Sequence, residues 1–499
     1  MALNFIQFAV ILFVAFGSLA YGYCAGIIST TLGQPTFIQY FGLDTRTDST
    51  SYISALVVGF QCGGVIGALA APYFADKYGR KVILYISSAA VIVTSALQAG
   101  SVRLEMFLAF RTLGGVAVGG ILVAVPLFQS EIAPANLRGA LVAMHGMMLA
   151  LGYVISSWFS LAFYYTGGQV SWRTPLSLQV VFPLVLVVGL FWLPESPRWL
   201  VSRQRHEEAR AILRRLHFDP KVVDSNGLVD AEMRSILEQE QIEKTLAVGW
   251  ASIIQVPSYR RRAILSFLSL FLYSSTGTLT ITNYLPSLLG RLNFGASQQL
   301  ALAGGYITYA PLGNIVASQL LDRIGRRKMF IIGLTGCGLA LIGETVAIER
   351  GLGTKAGQAF GVTFFFVHLF FFATFLDSTT FVYAAEIWPN HLRAKGFSVG
   401  ICGLFSGAVI WLGAAPTAFD TIDAYFYIVF IVICFLMIGM IYCFWPETAR
   451  VPLENIGRLF GDAIVNENDE LVVKHEAQHI EHVGQAGQAT PSDKDRASV

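Results

Sequence analysis

The chain has 499 residues, of which 54% are hydrophobic and only 13% are charged, a composition typical of integral membrane proteins rather than soluble domains. Its formal net charge is +2, and its Lys and Arg residues lie in turns instead of on one face, so nucleic acid is excluded as an expected partner. The 6 cysteines all fall inside apolar runs without metal-ligand spacing, and neither a metal site nor a cofactor is predicted.

Apolar runs of about 20 residues, the length that crosses a bilayer as a helix, recur along the chain. The first begins at Phe5, and because no Lys or Arg precedes Arg46, it lacks the basic start of a cleaved signal peptide and is expected to be a membrane span. Twelve such runs are predicted: 5–28, 52–74, 82–101, 107–130, 139–165, 176–193, 263–289, 299–321, 329–348, 361–384, 396–418 and 424–445.

These runs divide the chain into four parts. We expect an N-terminal six-helix bundle over 1–193, a central cytoplasmic bridge with short amphipathic helices over 194–262, a C-terminal six-helix bundle over 263–445, and a partly disordered cytoplasmic tail over 446–499. The tail contains His475, His479 and His482, but without a scaffold around them a solvated tail is a better interpretation than a metal site.

The orientation follows from the distribution of positive charge. Lys and Arg are concentrated in the loops after the even-numbered runs and are sparse in the loops after the odd-numbered ones. Because cytoplasmic loops of membrane proteins carry the excess of Lys and Arg, both termini and the bridge are expected to be cytoplasmic, in a multi-pass protein of the plasma membrane.

Three motifs occur twice at nearly the same separation. DKYGRK from Asp76 corresponds to DRIGRRK from Asp322, SEIAPANLRG from Ser130 to AEIWPNHLRAKG from Ala385, and PESPR from Pro194 to PETAR from Pro446. The charges of the first pair could not lie in hydrocarbon, so each copy is predicted to be a water-facing turn in which the glycine permits a positive φ. Two parallel repeats of this kind are the architecture of major-facilitator transporters.

These motifs, together with Arg111 in RTLGGVAVGG and SWRTPLSLQ from Ser171, resemble the sugar-porter branch of the major facilitator superfamily, in a fungal style. The resemblance implies an all-α membrane protein with twelve transmembrane helices in two six-helix pseudo-repeats. It also implies alternating access for a sugar, polyol or similar small organic solute, in a monomer embedded in the lipid bilayer. Proton symport and uniport both stay open.

The resemblance further implies a charge network at the cytoplasmic helix ends that latches the two halves together in the outward-facing state. Acids and arginines that only anchor helix ends are the alternative interpretation. The expected members are Asp76, Arg80, Arg111, Glu131, Arg138, Glu195, Asp322, Arg326, Glu386, Arg393 and Glu447.

The solute-facing positions depart from the family pattern. Cys24 stands where family members have a helix 1 carboxylate that takes part in proton coupling. Gly146, Leu279 and Leu404 stand where the family has amide side chains. Because a buried hydroxyl without a partner costs about 1–3 kcal/mol, the sequence predicts weak binding of ordinary hexoses and leaves a less polar metabolite open as the solute.

Asp377 lies nine residues before Glu386 in the sequence, which places it about 13.5 Å deeper along an ideal helix. A carboxyl at that depth is expected to act as a proton carrier or a solute ligand, with a helix-packing acid as the alternative. Glu344 is expected near the outer end of its run, and His368 is expected to pack among phenylalanines. The candidate solute-binding residues are His145, Gln179, Tyr273, Ser274, Thr278, Asn283, Asp377 and Phe381.

Two other classes of function were weighed against transport. A nutrient sensor of the same fold remains an alternative, although the residues after Pro446 offer little signalling appendage. An enzyme is not expected, because the sequence contains no evident Ser-His-Asp, metal-ligand or phosphate-binding set.

Overall fold

The computed structural model describes residues 5–46, 48–132, 138–217, 225–245, 249–351, 354–449, 451 and 456–461. Within these ranges the regular structure is helical, as expected where lipid offers the backbone no hydrogen bonds. Twelve of the described helical segments are long and apolar enough to cross a membrane, which confirms the predicted fold class. The predicted tail lies almost entirely outside the described residues.

In its described residues, the first half of the molecule contains nine α-helices. They are α1 Phe5–Val14, α2 Phe16–Leu32, α3 Pro35–Tyr40, α4 Ser49–Tyr78, α5 Arg80–Ala99, α6 Leu104–Ile132, α7 Arg138–Tyr164, α8 Val170–Ser177 and α9 Val181–Leu190. The bridge follows, with α10 Pro197–Ser202, α11 His206–His217, α12 Ser225–Thr245 and α13 Trp250–Gln255. Leu200, Leu213 and Met233 belong to a small apolar core that packs α10, α11 and α12 together.

The described part of the second half contains eight α-helices. They are α14 Pro257–Ser275, α15 Thr278–Arg291, α16 Ala296–Ile324, α17 Arg326–Gly351, α18 Lys355–Phe371, α19 Ser378–Glu386, α20 Arg393–Thr421 and α21 Phe426–Phe444. The residues up to Arg450 form one compact unit, and a second unit contains α22 Ile456–Leu459. We call the membrane side that carries the bridge the bridge face, and the other side the opposite face.

The two halves meet along several helix pairs. α4 packs against α20, α7 against α16 and α19, and α2 against α15. Within the first half, α4 approaches α6 so closely that a Cβ added at Gly63 would lie 2.2 Å from the Thr112 carbonyl oxygen, and one at Gly67 would lie 2.0 Å from that of Val116. Such contacts show how small residues let membrane helices pack closely in this chain.

The duplicated turns have the predicted backbone. Gly79 has φ 106° and Gly325 has φ 95°, conformations that favour glycine. In the first turn, the Glu195 carboxylate accepts hydrogen bonds from the Arg80 and Lys81 backbone N–H groups, at 3.1 and 3.2 Å. These N–H groups begin α5, so the carboxylate caps the positive end of that helix.

The second turn repeats this arrangement. The Glu447 carboxylate accepts from the backbone N–H groups of Arg326 and Arg327, at 2.9 and 3.0 Å, and so caps α17. The PESPR and PETAR motifs therefore supply the capping acid for the helix that follows each glycine turn.

Candidate functional site

Asp377 ends a π-helical segment, Phe372–Asp377, that interrupts the tenth span between α18 and α19. Single π-turns are rare and frequently occur at functional sites, because the extra residue redirects the side chains around it. Both Asp377 and the following Ser378 are buried. The sequence predicted the depth of the carboxyl but not this change of helix type.

Asn314 of α16 holds the Asp377 carboxyl in place. Its Nδ2 donates to Asp377 Oδ2 at 2.9 Å, and its Oδ1 accepts from Ser378 Oγ at 2.5 Å. The Tyr273 hydroxyl approaches the same carboxyl. Among the described residues, Asp377 Oδ1 has no hydrogen-bond partner although it is buried. One carboxylate oxygen therefore has unused capacity to accept a hydrogen bond.

The first half meets this cluster through α7. A Cβ added at Gly146 would lie 3.5 Å from Ser378 Oγ and 4.0 Å from Asn314 Oδ1. The neighbouring His145 is buried, and its Nδ1 lies 2.6 Å from Ser18 Oγ of α2. Its Nε2 finds no hydrogen-bond partner in the described part of the chain. Each half therefore contributes one unsatisfied polar atom near this interface.

Aromatic rings lie beside these polar groups. The Tyr273 ring lies 4.9 Å from that of Phe372 and 5.5 Å from that of Phe381, measured between centroids. The Phe381 ring in turn lies 6.0 Å from the His145 imidazole. The structure thus brings four predicted residues together, namely His145, Tyr273, Asp377 and Phe381. It adds Asn314, which was not predicted although an amide near the middle of an apolar run was an available signal.

Four other predicted solute ligands make different contacts. The Gln179 amide donates to the Leu176 carbonyl within its own turn, and Ser274 Oγ donates across to the Leu404 carbonyl at 2.7 Å. Thr278 Oγ1 contacts His368. Asn283 donates to the Leu279 carbonyl and lines a separate cavity.

That cavity lies at the opposite face of the membrane and has a volume of about 530 Å³. It is lined from the first half by α2, α3 and the start of α4, and from the second half by α15, α16 and α20. Below it the halves touch, since Ser29 Oγ of α2 donates to the Thr282 carbonyl of α15 at 2.9 Å. A contact between α2 and α15 therefore joins the two halves at this cavity.

Arg111 does not belong with the charged helix ends. It lies within α6, 20 residues before Glu131 in the sequence and so about 30 Å away along the helix. Its Nη1 donates to the Cys24 carbonyl at 2.7 Å, and its guanidinium lies 4.0 Å from the centre of the Phe60 ring. The prediction that placed Arg111 at a helix end is corrected by this burial in the first half.

Other charged residues form ion pairs within each half at the bridge face. Arg80 lies 2.9 Å from Glu131, and Arg326 lies 2.9 Å from Glu386. Burial raises the pKa of the Glu195 carboxyl, and the hydrogen bonds from the Ser196 and Lys81 N–H groups only partly offset this effect.

Among the described residues, an ion pair crosses between the halves at this face. Lys395 Nζ lies 3.5 Å from Asp76 Oδ2, and Asp76 also contacts Arg80 at 3.5 Å. Lys395 was not among the residues predicted for the charge network. Arg393 donates to the Trp388 carbonyl at 3.5 Å, while the side chains of Arg138 and Asp322 lie outside the described residues.

Residues 10–460 match the family described as "Sugar (and other) transporter". The chain belongs to this sugar transporter family. It is therefore a multi-pass membrane transporter and not an enzyme, as its sequence predicted.

Curated relatives of this sugar transporter come from fungi and bacteria. The MFS-type transporter criB of Aspergillus cristatus is 30% identical over 447 residues, covering 89% of this chain and 90% of that protein. The sugar transporter STL1 of Saccharomyces cerevisiae is 28% identical over 461 residues, covering 89% and 79%. The probable metabolite transport protein CsbC of Bacillus subtilis is 30% identical over 456 residues, covering 90% and 94%.

Solved structures share the architecture. The proton:xylose symporter XylE bound to 6-bromo-6-deoxy-D-glucose superposes with a TM-score of 0.77 at 20% identity, over 91% of this chain and 99% of that one. The partially occluded inward-open conformation of XylE from E. coli gives 0.75 at 18% identity, over 89% and 98%. This likeness establishes the major facilitator fold for the sugar transporter described here.

Proposed function

We propose that this transporter binds one small organic solute, a sugar, a polyol or a less polar relative of these, between its two six-helix bundles over 1–193 and 263–445. The observation that carries the proposal is the pair of unsatisfied buried atoms, His145 Nε2 from one half and Asp377 Oδ1 from the other. A buried polar atom without a partner costs about 1–3 kcal/mol, and the hydroxyls of a bound solute would remove that cost on both sides at once.

The composition of the site favours a solute with few hydroxyls and an apolar face. Tyr273, Phe372 and Phe381 supply ring surfaces, whereas the polar partners are a carboxyl, an amide and an imidazole. The relatives described above include one named a sugar transporter and one named an MFS-type transporter, a name that specifies no solute. Both are consistent with a carrier of the sugar-porter type whose specificity has moved away from hexoses.

Asp377 is also the proposed proton carrier. The carboxyl lies deep in a membrane span, where an ionisable group is functional by default. XylE, whose fold this chain shares, is named a proton:xylose symporter. The competing proposal is uniport, in which Asp377 only binds solute or holds Asn314.

For the orientation, we propose that the bridge face is cytoplasmic in the plasma membrane and that the protein acts as a monomer. The positive-inside rule supports this, because Lys and Arg are concentrated in the loops of that face. The pairs of Arg80 with Glu131 and of Arg326 with Glu386 would then stabilise each half, and that of Asp76 with Lys395 would link the halves.

Counterflow in proteoliposomes tests the proposal. Vesicles loaded with unlabelled solute are given the same labelled solute outside, for a panel of glucose, xylose, glycerol, sorbitol and less hydroxylated analogues. For the unmodified protein we expect transient accumulation of at least one polyol or deoxy-sugar and only weak accumulation of glucose. The double variant Asp377→Asn with His145→Phe should accumulate neither. Equal counterflow by that double variant would refute the proposed site.

A further inference from the structure

α17 and α18 bring a carboxyl and an imidazole together inside the second half. Glu344 Oε1 lies 3.5 Å from His368 Nδ1, and both side chains are 0% exposed. On the other side of the ring, His368 Nε2 lies 3.3 Å from Thr278 Oγ1. The prediction that His368 packs among phenylalanines missed these two contacts, because the three residues are far apart in the sequence.

Thr278 begins α15 immediately after a break in the seventh span. α14 ends at Ser275, and Gly277 has φ 86°, a left-handed conformation that turns the chain between the two helices. Thr278 Oγ1 also lies 3.1 Å from Thr276 Oγ1, which contacts the Tyr273 carbonyl. The imidazole is therefore attached to the hinge between α14 and α15.

α15 extends from the hinge to the opposite-face cavity. It lines that cavity and meets α2 at the hydrogen bond between Ser29 and Thr282. A change in the position of α15 relative to α14 would open or close this contact, as expected for a hinge at the end of a helix. The Glu344–His368 pair thus contacts the hinge end of α15, the helix whose contact with α2 we call the gate.

A Glu344 carboxylate beside a neutral His368 imidazole has a net charge of −1. One added proton makes the pair neutral, whether it binds to the carboxylate or to the imidazole. Any other proton count leaves a net charge in a dry site, which is costly. In the described part of the chain, Glu344 interacts electrostatically with Tyr306 of α16, Cys337 of α17 and Tyr427 of α21, and Cys337 in turn interacts with Cys434 of α21.

Groups of these types are uncharged near neutral pH. The charged Arg291 and Asp423, which also act on Tyr427, pair with each other at 2.9 Å. On the π-helical segment that packs against α17, Asp377 is bonded to Asn314. No neighbouring charge in the described structure therefore replaces the proton of the pair.

We propose that Glu344 and His368 form a proton-binding site that controls the gate between α15 and α2. With its proton, the neutral pair is stable in a dry site and the gate stays closed. When the proton passes to water, the net negative charge favours a hydrated arrangement in which α15 moves away from α2. The proposal rests on the chain being an alternating-access transporter, but not on the solute or on Asp377.

Double electron–electron resonance measures the distance between two spin labels placed on either side of the gate, and so reports whether the gate is open or closed. The labels are placed at Gln39→Cys and Ser287→Cys, exposed positions that line the cavity from the two halves, after Cys62 and Cys443 are replaced by serine. The full-length protein in nanodiscs is measured without solute from pH 5 to pH 9. We expect the fraction with the longer distance to rise several-fold as the pH increases.

Two variants and one control test whether this pair is the proton site. Glu344→Gln keeps the site neutral at neutral and alkaline pH, so the gate should stay closed across that range. Thr278→Val preserves side-chain shape but removes the link to the hinge, and the gate should no longer follow the pH. The matched control is Glu349→Gln, the same substitution at an exposed residue of α17, which should behave as the unmodified protein.

A distance distribution that does not change with pH in the unmodified protein would overturn the proposal. A pH response that persists in Glu344→Gln would also overturn it. If that response were in addition lost in Asp377→Asn, the proton would be assigned to Asp377. Because the measurement needs no solute, its failure leaves the proposed transport function intact. A failed counterflow experiment, conversely, leaves this result standing.

Discussion

The ion pair between Asp76 and Lys395 makes a quantitative prediction about the equilibrium between transporter conformations. It joins the two halves at the bridge face with 3.5 Å between Nζ and Oδ2, and the side chain of Lys395 is 15% exposed and that of Asp76 is 44% exposed. Pairs with such exposure contribute about 0.2–1 kcal/mol. Lys395→Met should therefore shift the equilibrium by about 1.4- to 5-fold toward the state that is open at the bridge face.

A pair inside one half should behave differently. The Arg326 side chain is 7% exposed and that of its partner Glu386 is 21% exposed. Removing one member of a buried pair costs about 3–5 kcal/mol, because the other charge stays behind without compensation. Arg326→Met should hence lower the thermal stability of the second half rather than shift the conformational equilibrium selectively.

Spin labels at Tyr78→Cys and Lys328→Cys, one in the duplicated turn of each half, report how open the bridge face is. Lys395→Met, Asp76→Asn and the double variant complete a double-mutant cycle, which isolates the coupling between the two side chains. The matched control is Lys77→Met, because that ammonium contacts the Tyr73 hydroxyl of its own helix at 3.4 Å. An equal shift in Lys77→Met, or no coupling in the cycle, would refute the link between the halves.

Three further predictions concern the turn, the site and coupling. Gly325→Ala should lower the melting temperature in detergent, because it adds about 1–3 kcal/mol of backbone strain and places a Cβ 2.8 Å from Glu447 Oε2. The matched control is Gly439→Ala, which has open space around the added Cβ and should leave the melting temperature unchanged. Gly146→Gln with Leu279→Asn should let glucose compete better in counterflow by restoring amide hydrogen bonds, and tight glucose binding by the unmodified protein would contradict that reasoning. Asp377→Asn should abolish solute accumulation driven by a pH gradient yet retain exchange of solute across the membrane. If the unmodified protein never accumulates solute under a pH gradient, it is a uniporter and the proposed proton coupling is wrong.

The predictable part of the fold rests on local patterns. Run length identified the twelve spans, and the repeated DKYGRK and DRIGRRK motifs identified two turns whose glycines do have positive φ. The carboxylates of Glu195 and Glu447 were correctly placed at helix ends, because their motifs directly follow apolar runs. Their role as caps on α5 and α17 needed the structure, since the two partners are more than 100 residues apart.

The site was only partly predictable for the same reason. The depth of Asp377 could be calculated along one helix, but Asn314, which holds its carboxyl, lies on another helix 63 positions earlier. Arg111 was misplaced because the family resemblance grouped it with the charged helix ends, whereas the Cys24 carbonyl and the Phe60 ring accommodate it inside the first half. Contacts between helices depend on packing geometry that apolar periodicity does not contain.

Solute affinity measured in a double-mutant cycle on His145 and Asp377 tests most directly whether the site is built from both halves. The solute with the strongest counterflow is titrated onto purified unmodified protein, His145→Phe, Asp377→Asn and the double variant. If both atoms bind one solute, each single variant should weaken binding by about 5- to 150-fold, equivalent to 1–3 kcal/mol. Unchanged affinity in either single variant would contradict a solute site assembled between the two halves.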